Sequence, residues 1–389
     1  MTRFDVVIAG AGPAGAALAA RLAQAGASVL AVEASRHPRP KACAEYASPR
    51  IVEELGRIGM SPSSWRASAV PLDGMELHAA HHAVRIGYAD RERLRTAWGL
   101  DRRAFDACLA AKAVESGAIL RDATRVVDLV SSGGRVTGAV LRDGSGGTTT
   151  VEAGWVVGAD GARSVVARRV GVEARVRFPR RLGLVAHYAG ADGPVTHGEM
   201  HAANGWYVGL APTPGGELNV GMALPIDGVG PAAARFEEAL RALPRVAARL
   251  AGARRVSPIR GAAPIGHRVR RAAGPGWLLV GDAAGFVDPF TGEGIYRALR
   301  SSRAAADAIL AGRGVEDAYL AARRRAFAAK SALSWVVQAF LATPGLLEHA
   351  VARLERRPAA ALRLGSALGD CRPATSALSP RAVLEVLAP

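Results

Sequence analysis

The sequence predicts an α/β fold: a parallel-sheet domain, an antiparallel-sheet domain inserted into it, and a helical C-terminus. Three observations carry this. Residues 4–33 read as strand, glycine-rich turn, helix and strand, the order and size of a βαβ unit. Residues 172–262 change to short apolar-alternating stretches separated by turn residues, the pattern of an antiparallel sheet. After residue 295 the chain is mostly Ala/Arg/Leu with helical spacing, broken near Pro344, Pro358 and Pro373.

Taken in order, FDVVIA (residues 4–9) is a short β-branched run that predicts a buried strand. GAGPAG follows, then AALAARLAQAG, a helix that closes at Gly26, and SVLAVE predicts a second strand. Residues 34–50 are a Pro- and Arg-rich loop, and PRIVEELGRIG predicts a short helix. MELHAA and HAVRIGYA alternate as paired strands. DRRAFDACLAAKAVESGA (residues 101–118) predicts a helix with Phe105, Leu109 and Val114 at near-helical spacing. RVVDLV, RVTGAVL and TTTVEAGWVVGA predict strands turning at Gly133–Gly134 and Gly144–Gly147. RLGLVAHYAG, THGEMHA, GWYVGLA and ELNVGMAL predict the inserted sheet, with a turn at TPGG. A helix broken near Pro244 follows. The expected division is residues 1–75, 95–171 and 263–330 for the first domain, 76–94 and 172–262 for the inserted one, and 331–389 for the helical end.

At 389 residues the chain can bury a sizeable core. Its formal charge of +16 is almost wholly arginine, lysine standing only at 41, 112 and 330. The arginines are spread along the chain, no nucleic-acid-binding signature is present, and nucleic acid is not expected as a partner. The charge fits solvated surface or attraction to anions: cofactor phosphates, an acidic substrate or a membrane surface. Three scattered cysteines (43, 108, 371) make no disulfide framework and no CxxC. Neither a signal peptide nor a run of about 18 apolar residues is present. The expected location is therefore the cytoplasm, with peripheral membrane contact left open.

Gly10, Gly12 and Gly15 form GxGxxG between a strand and a helix, and Glu33 ends the next strand. Gly10 permits the tight turn, Gly12 lets backbone amides approach a pyrophosphate, and Gly15 lets the helix pack on the strand. The helix N-terminus offers partial positive charge, and Glu33 can accept from a ribose. This predicts a dinucleotide, NAD(P) or FAD. A second acid-plus-glycine turn decides for FAD: VGDAAGFVDPFTGEGIYRAL, residues 280–299, places Asp282 at a strand end and glycines 292 and 294 at the mouth of a helix. Asp282 is suited to ribityl hydroxyls, and the amides near Gly292–Gly294 to the flavin edge where negative charge gathers on reduction.

With these motifs the chain resembles the large FAD-dependent oxidoreductase superfamily. That superfamily includes the aromatic hydroxylases (group A flavoprotein monooxygenases), the flavin halogenases and the geranylgeranyl reductases. The residues that carry the resemblance are GAGPAG with Glu33, the 101–118 helix with Arg102, GADGARSVVAR (residues 158–168) and GDAAGFVDPFTGEGI (residues 281–295). It implies a Rossmann-like FAD-binding domain of the GR2 type with an antiparallel-sheet cap. It implies FAD contacts at Gly10, Gly12, Pro13, Ala14 and Gly15, at Glu33, Ala34, Arg36 and Lys41, and at Arg102, Val127 and Asp160. In the late turn it implies Gly281, Asp282, Gly292, Glu293, Gly294 and Ile295. Asp160 either shapes the cofactor site or caps its own turn.

DPFTGEGI and KACAEYASP (residues 41–49) resemble the geranylgeranyl reductase branch, in which a Lys-x-Cys cysteine lies near the flavin. Ala44 stands where that branch commonly has Gly. In GWYVGLAP, Gly209 and Ala211 replace its bulky residues, which weighs against a polyprenyl substrate. The paired-tryptophan signature and the lysine motif of the halogenases are absent. Cys43 is a candidate proton source, with Lys41, Arg36 and Arg39 near it in sequence, and Pro289 a candidate for positioning the flavin face. Trp206, Tyr207 and Phe290 are candidate pocket residues. Because adjacent strand residues face opposite ways, only one of Trp206 and Tyr207 should point at the flavin. No metal is expected; His78, His81 and His82 read as sheet or surface positions.

The expected activity is an NAD(P)H-dependent monooxygenase that hydroxylates or epoxidises a small apolar or aromatic molecule. The alternative is a geranylgeranyl reductase-like enzyme that reduces alkenes of a prenyl lipid. A non-catalytic nucleic-acid binder is the remote third. With the one GxGxxG taken by FAD, NAD(P)H must enter through the substrate-side cleft, or electrons must come from a reductase or ferredoxin partner.

Overall fold

The computed structural model describes residues 2–91, 93–193 and 195–387. Its main sheet is built on five parallel strands in the order Ile119–Arg121, Val29–Val32, Arg3–Ala9, Thr148–Gly158 and Trp277–Leu279. Thr148–Gly158 is long enough to serve two partners. Its first half pairs antiparallel with Arg135–Arg142, which continues to Arg125–Ser132; its second half pairs parallel with Arg3–Ala9 and Trp277–Leu279. The central strands are buried on both faces, which explains their continuous apolar sequence.

Helices Pro13–Gln24 and Gly294–Ala311 pack against each other over this sheet. Their alanines allow the close approach, and the Ser302 hydroxyl crosses it to donate to the Ala14 carbonyl (2.6 Å). The two glycine-bearing turns, about 270 residues apart in sequence, thereby open at the carboxyl ends of two parallel strands that flank Thr148–Gly158, on the edge where α/β sheets bind ligands.

The inserted sheet runs Arg254–Arg255, Arg181–Ala189, Glu217–Pro225, Tyr207–Pro212, Gly198–Ala202, Gly74–His78, Ala83–Gly87, with Arg260–Ala262 beside Arg181–Ala189. Its two faces separate by alternation. Leu184, Tyr188, Val208, Leu210, Val220 and Met222 face outward onto Phe236, Leu240 and Val246 of helices Ala232–Arg241 and Pro244–Arg249. Met200, Ala202, Tyr207 and Ala223 face inward, together with Met75 and Leu77. Part of this inner face is covered by Leu341, Leu347 and Val351 of the C-terminal helices.

Two boundaries differ from the sequence expectation. The cap strand begins at Gly74 rather than 76. Helix Val315–Ala342 passes through the expected border at 330 without a break, because that stretch holds neither Gly nor Pro. Breaks do fall at Pro344 and Pro358, each of which starts a new helix. Among the described residues no single helix is long and apolar enough to cross a membrane.

Candidate functional site

The first turn is built so that backbone alone can occupy it. Gly10 sits at φ 95°, and a methyl there would lie 2.6 Å from the Ala159 carbonyl. A methyl on Gly15 would lie 1.8 Å from the Gly10 carbonyl, so Gly15 fixes how close the helix approaches the turn. Pro13 opens that helix and Gly12 precedes it with no side-chain cap, which leaves its first amides available to an anion. Glu33 is buried at the end of Val29–Val32 and accepts from the Ala11 amide (3.1 Å). Ala34 and Arg36 are exposed.

The basic group at this turn is Arg39, which the sequence reading passed over in favour of Arg36. Arg39 is buried, pairs with Glu33 (3.2 Å) and Asp106 (3.5 Å), and brings its guanidinium within 3.2 Å of where a Gly12 methyl would stand. Arg102 is also buried and meets Asp106 with two bonds of 2.8 and 2.9 Å. Burial works against its charge, but Asp106 and the Cys43 sulfur outweigh that and raise its pKa. Asp106 is thus a shared anchor for two arginines, four residues along the helix from Arg102, a spacing that could have revealed it.

The structure shows Asp160 in the turn-capping role. One oxygen accepts from the Val165 amide (2.7 Å) and caps the short helix Val165–Arg169; the other is buried with no partner among the described residues. Burial raises its pKa. Lys41 is exposed, but its Nζ stands 3.9 Å from where a Gly161 methyl would be. Val127 lies on the outer meander strand, where its carbonyl accepts from Arg169.

In the late turn Asp282 makes no side-chain hydrogen bond with the described protein. Burial raises its pKa, opposed by Lys41, Arg297 and Arg102. Gly281 (φ 57°) packs on Ala14, Gly292 (φ 65°) ends the turn Pro289–Thr291, and helix Gly294–Ala311 starts with no side-chain cap, its Ile295 buried. Glu293 is turned away from this opening: its carboxylate meets Arg297 (3.4 Å) and Lys330 (3.4 Å) inside the protein. Only its backbone remains to the turn, because a buried carboxylate requires partners. The backbone cradle, the uncapped helix starts, the unpartnered Asp160 oxygen and the Asp282 carboxylate fit a dinucleotide with a polyol linker, as FAD requires.

Facing this, Tyr46 joins cap to turn. Its ring lies 2.8 Å from a methyl on Gly292 and 3.0 Å from one on Gly198, so both positions exclude a side chain. Tyr207 is buried on the inner face, donates to Asp288 (2.6 Å) and packs edge-on against Phe290 at 5.0 Å. Asp288 is held by Arg181 (2.5 Å), which also donates to Gln338. Trp206 does not line this pocket; it packs with the outer cluster, since strand alternation sends neighbours to opposite faces. Cys43 is half-buried, and its sulfur accepts from the Glu45 amide (3.3 Å) and lies near the Arg102 guanidinium. Beside it buried Glu45 and Asn219 and half-buried His187 form a hydrogen-bonded group that the sequence reading missed. No spacing signals it, because its members come from three separated segments.

On the outer face of the cap sheet His78, Glu199 and His201 also come together. The two imidazoles are stacked with centroids 4.3 Å apart and planes 1° from parallel. No point lies in both ring planes, so the pair as placed cannot share one ion. Arg245 contacts His78 and Arg249 contacts Glu199, which completes a hydrogen-bonded cluster under helix Pro244–Arg249.

Comparisons with known proteins agree with this geometry. The family described as "FAD binding domain" matches residues 3–329. The menaquinone reductase of Mycolicibacterium smegmatis is 34% identical over 328 residues, 81% of this chain and 78% of that protein. The digeranylgeranylglycerophospholipid reductase of Methanosarcina mazei is 30% identical over 318 residues, 79% of this chain and 75% of that protein. The structure of a flavin-dependent brominase superposes with a TM-score of 0.83 at 22% identity, over 99% of each chain. A geranylgeranyl bacteriochlorophyll reductase-like protein of Thermoplasma acidophilum gives 0.79 at 22% identity, over 100% of this chain and 97% of that one. These two likenesses are of fold. The sequence match, falling on the two turns just described, shows that the chain belongs to the FAD-binding-domain family and is an FAD-dependent oxidoreductase.

Proposed function

We propose that the protein reduces an alkene of a prenyl-bearing lipid. The observation that carries this reading is the 30–34% identity, over about four-fifths of the chain, to reductases named for menaquinone and for a digeranylgeranyl lipid, both polyprenyl compounds. Monooxygenation, the first expectation from sequence, is the weaker reading. The halogenase likeness is one of fold, whereas the relatives close in sequence are reductases.

The site supports reduction in three ways. FAD, when bound, supplies a hydride. Inward-facing Gly209 and Ala223, with Met75, Met200, Tyr207 and Phe290 around them, offer an apolar wall suited to a prenyl chain. Gly209 and Ala211, which from sequence weigh against a polyprenyl substrate, act as space. Cys43, with Arg102 at its sulfur, holds the proton that the second alkene carbon needs, and the guanidinium stabilises the thiolate left behind. The reductant in this reading is NAD(P)H. A cleft of about 450 Å³ beside Asp160 is lined by Arg163, Arg175, Arg180 and His267, which suit its phosphates.

The test is spectroscopic. The flavin-loaded protein is reduced without oxygen and mixed with menaquinone or a digeranylgeranyl lipid. Anaerobic reoxidation of the flavin together with a product still two mass units heavier after any quinol has been reoxidised in air supports alkene reduction. Reoxidation only by oxygen, through an oxygenated-flavin absorbance that decays faster with an aromatic compound, sinks it in favour of monooxygenation.

A further inference from the structure

Glu45 sits in the loop between Cys43 and the strand Tyr46–Ala47, in the left-handed backbone region at φ 57°, where a residue with a side chain is held only by its surroundings. Its surroundings are specific. The carboxylate accepts from the Arg102 amide (3.1 Å), from His187 Nε2 (2.7 Å) and from Asn219 Nδ2 (3.0 Å). The same Asn219 nitrogen donates to the Cys43 carbonyl (3.0 Å), and the Glu45 amide donates to the Cys43 sulfur (3.3 Å). Glu45 is 5% exposed, whereas His187 is 24% exposed and reaches the surface beside Ser257. This buried acid therefore touches the sulfur of the candidate proton donor through its backbone amide, and through its carboxylate it holds an imidazole that meets water.

We propose that His187 and Glu45 form the proton reserve behind Cys43, with Asn219 positioning both. This rests on the alkene-reduction reading. In that reaction one alkene carbon takes the hydride and the other takes the thiol proton of Cys43, which leaves a thiolate. The His187 imidazolium then gives up one proton, which passes by way of the Glu45 carboxyl and one bridging water to the sulfur, and neutral His187 is reprotonated from water. The net change is one hydride and one proton added across the double bond. The Glu45 hydrogen bond raises the His187 pKa above its ordinary value although burial opposes it. Glu217 and Asp101 act in the same direction, and Ser257 and Asn219 are the neutral groups on its other sides.

The test reads the charge at the sulfur without any substrate. Cys43 in the FAD-loaded full chain is alkylated with iodoacetamide from about pH 5.5 to 8, and its modification is followed by peptide mass spectrometry. The wild-type rate must follow two ionisations, that of the thiol and a lower one belonging to His187. His187→Gln leaves the Glu45 charge unbalanced beside the sulfur. It slows alkylation about tenfold at the acidic end, the effect of about one pK unit, and the difference fades at higher pH. Adding Glu45→Gln removes that lone charge and restores the rate to within about twofold of wild type, a rescue that a packing role does not give. A wild-type curve with a single ionisation, or equal rates in wild type and His187→Gln, overturns the proposal; the first holds even if the variants fail to fold. Alkene reduction by an enzyme without this coupling overturns the relay alone. Coupling in an enzyme that reduces neither menaquinone nor a digeranylgeranyl lipid overturns the functional reading, and the relay as a step of turnover falls with it.

Discussion

The guanidinium of Arg181 and the carboxylate of Asp288 meet at 2.5 Å with side chains 4% and 1% exposed. Arg181 belongs to the cap and Asp288 to the late glycine turn, and Gln338 of the C-terminal helix accepts from the same nitrogen. One buried pair therefore joins the three parts of the chain at the edge of the flavin site. Asp288→Asn strands the arginine charge in the interior and is expected to cost about 3 to 5 kcal/mol. Arg181→Met with Asp288→Leu removes both charges and is expected to cost less than the single change. Denaturant unfolding of the three proteins measures this.

Arg39, not Arg36, faces the first turn. Arg39→Ala is expected to weaken FAD binding about 10- to 100-fold, the effect of a lost charge-assisted hydrogen bond. Arg36→Ala, on the exposed side of the same loop, should change it by no more than about twofold. Flavin fluorescence during dialysis compares the two. Equal losses from both would show that general surface charge, rather than one placed guanidinium, holds the cofactor.

Asp282→Ala tests the polyol side of the same site. The protein should fold and lose most of its flavin on gel filtration, since Asp282 has no partner among the described side chains. A variant that purifies with full flavin shows that this acid does not hold it.

Gly209 on the inner face of the cap decides how much chain the pocket takes. A methyl there makes ordinary contact with the flexible Met200 thioether, at 3.4 Å, and the Glu199 carbonyl, at 3.8 Å, so Gly209→Phe can be accommodated by moving Met200 and grow from the inner face. It should raise KM for a long prenyl lipid much more than for a short prenyl alcohol, with FAD content unchanged. Steady-state kinetics on the two chain lengths read the difference.

Burial lowers the His78 pKa to about 4, and the His201 ring and Arg245 act the same way. The folded protein thus holds fewer protons than the unfolded chain between the ordinary value of 6.5 and 4. Stability is full above pH 6.5 and falls as pH drops through that window, by about 1 to 3 kcal/mol from this residue. His197 and His267, both also lowered by burial, add to the slope. Melting temperatures of wild type and His78→Gln should differ in their fall between pH 7 and 5, the variant falling less.

The cofactor frame was legible because its signals are local. GAGPAG, Glu33, the 101–118 helix and GDAAGF each rest on a few consecutive residues whose backbone needs, a positive φ or a close approach, admit few residue types. The prolines at 244, 344 and 358 marked helix breaks, and each break proves to be the start of a new helix. Alternation correctly sent Trp206 and Tyr207 to opposite faces. What failed was the choice among equals: Arg36 and Arg39 are three residues apart in one loop, and only the fold of that loop buries one and exposes the other.

The sequence by itself determined the α/β class, the cofactor type and the inserted sheet, since spacing, turn chemistry and period are properties of short stretches of chain. Only the tertiary structure decided the partners. It set Arg39 against Gly12, Arg181 against Asp288, and Glu45 against His187 across 142 residues. Charges buried in an interior must be matched, and the match is made by whichever segments packing brings together, with no period or spacing along the chain to announce it.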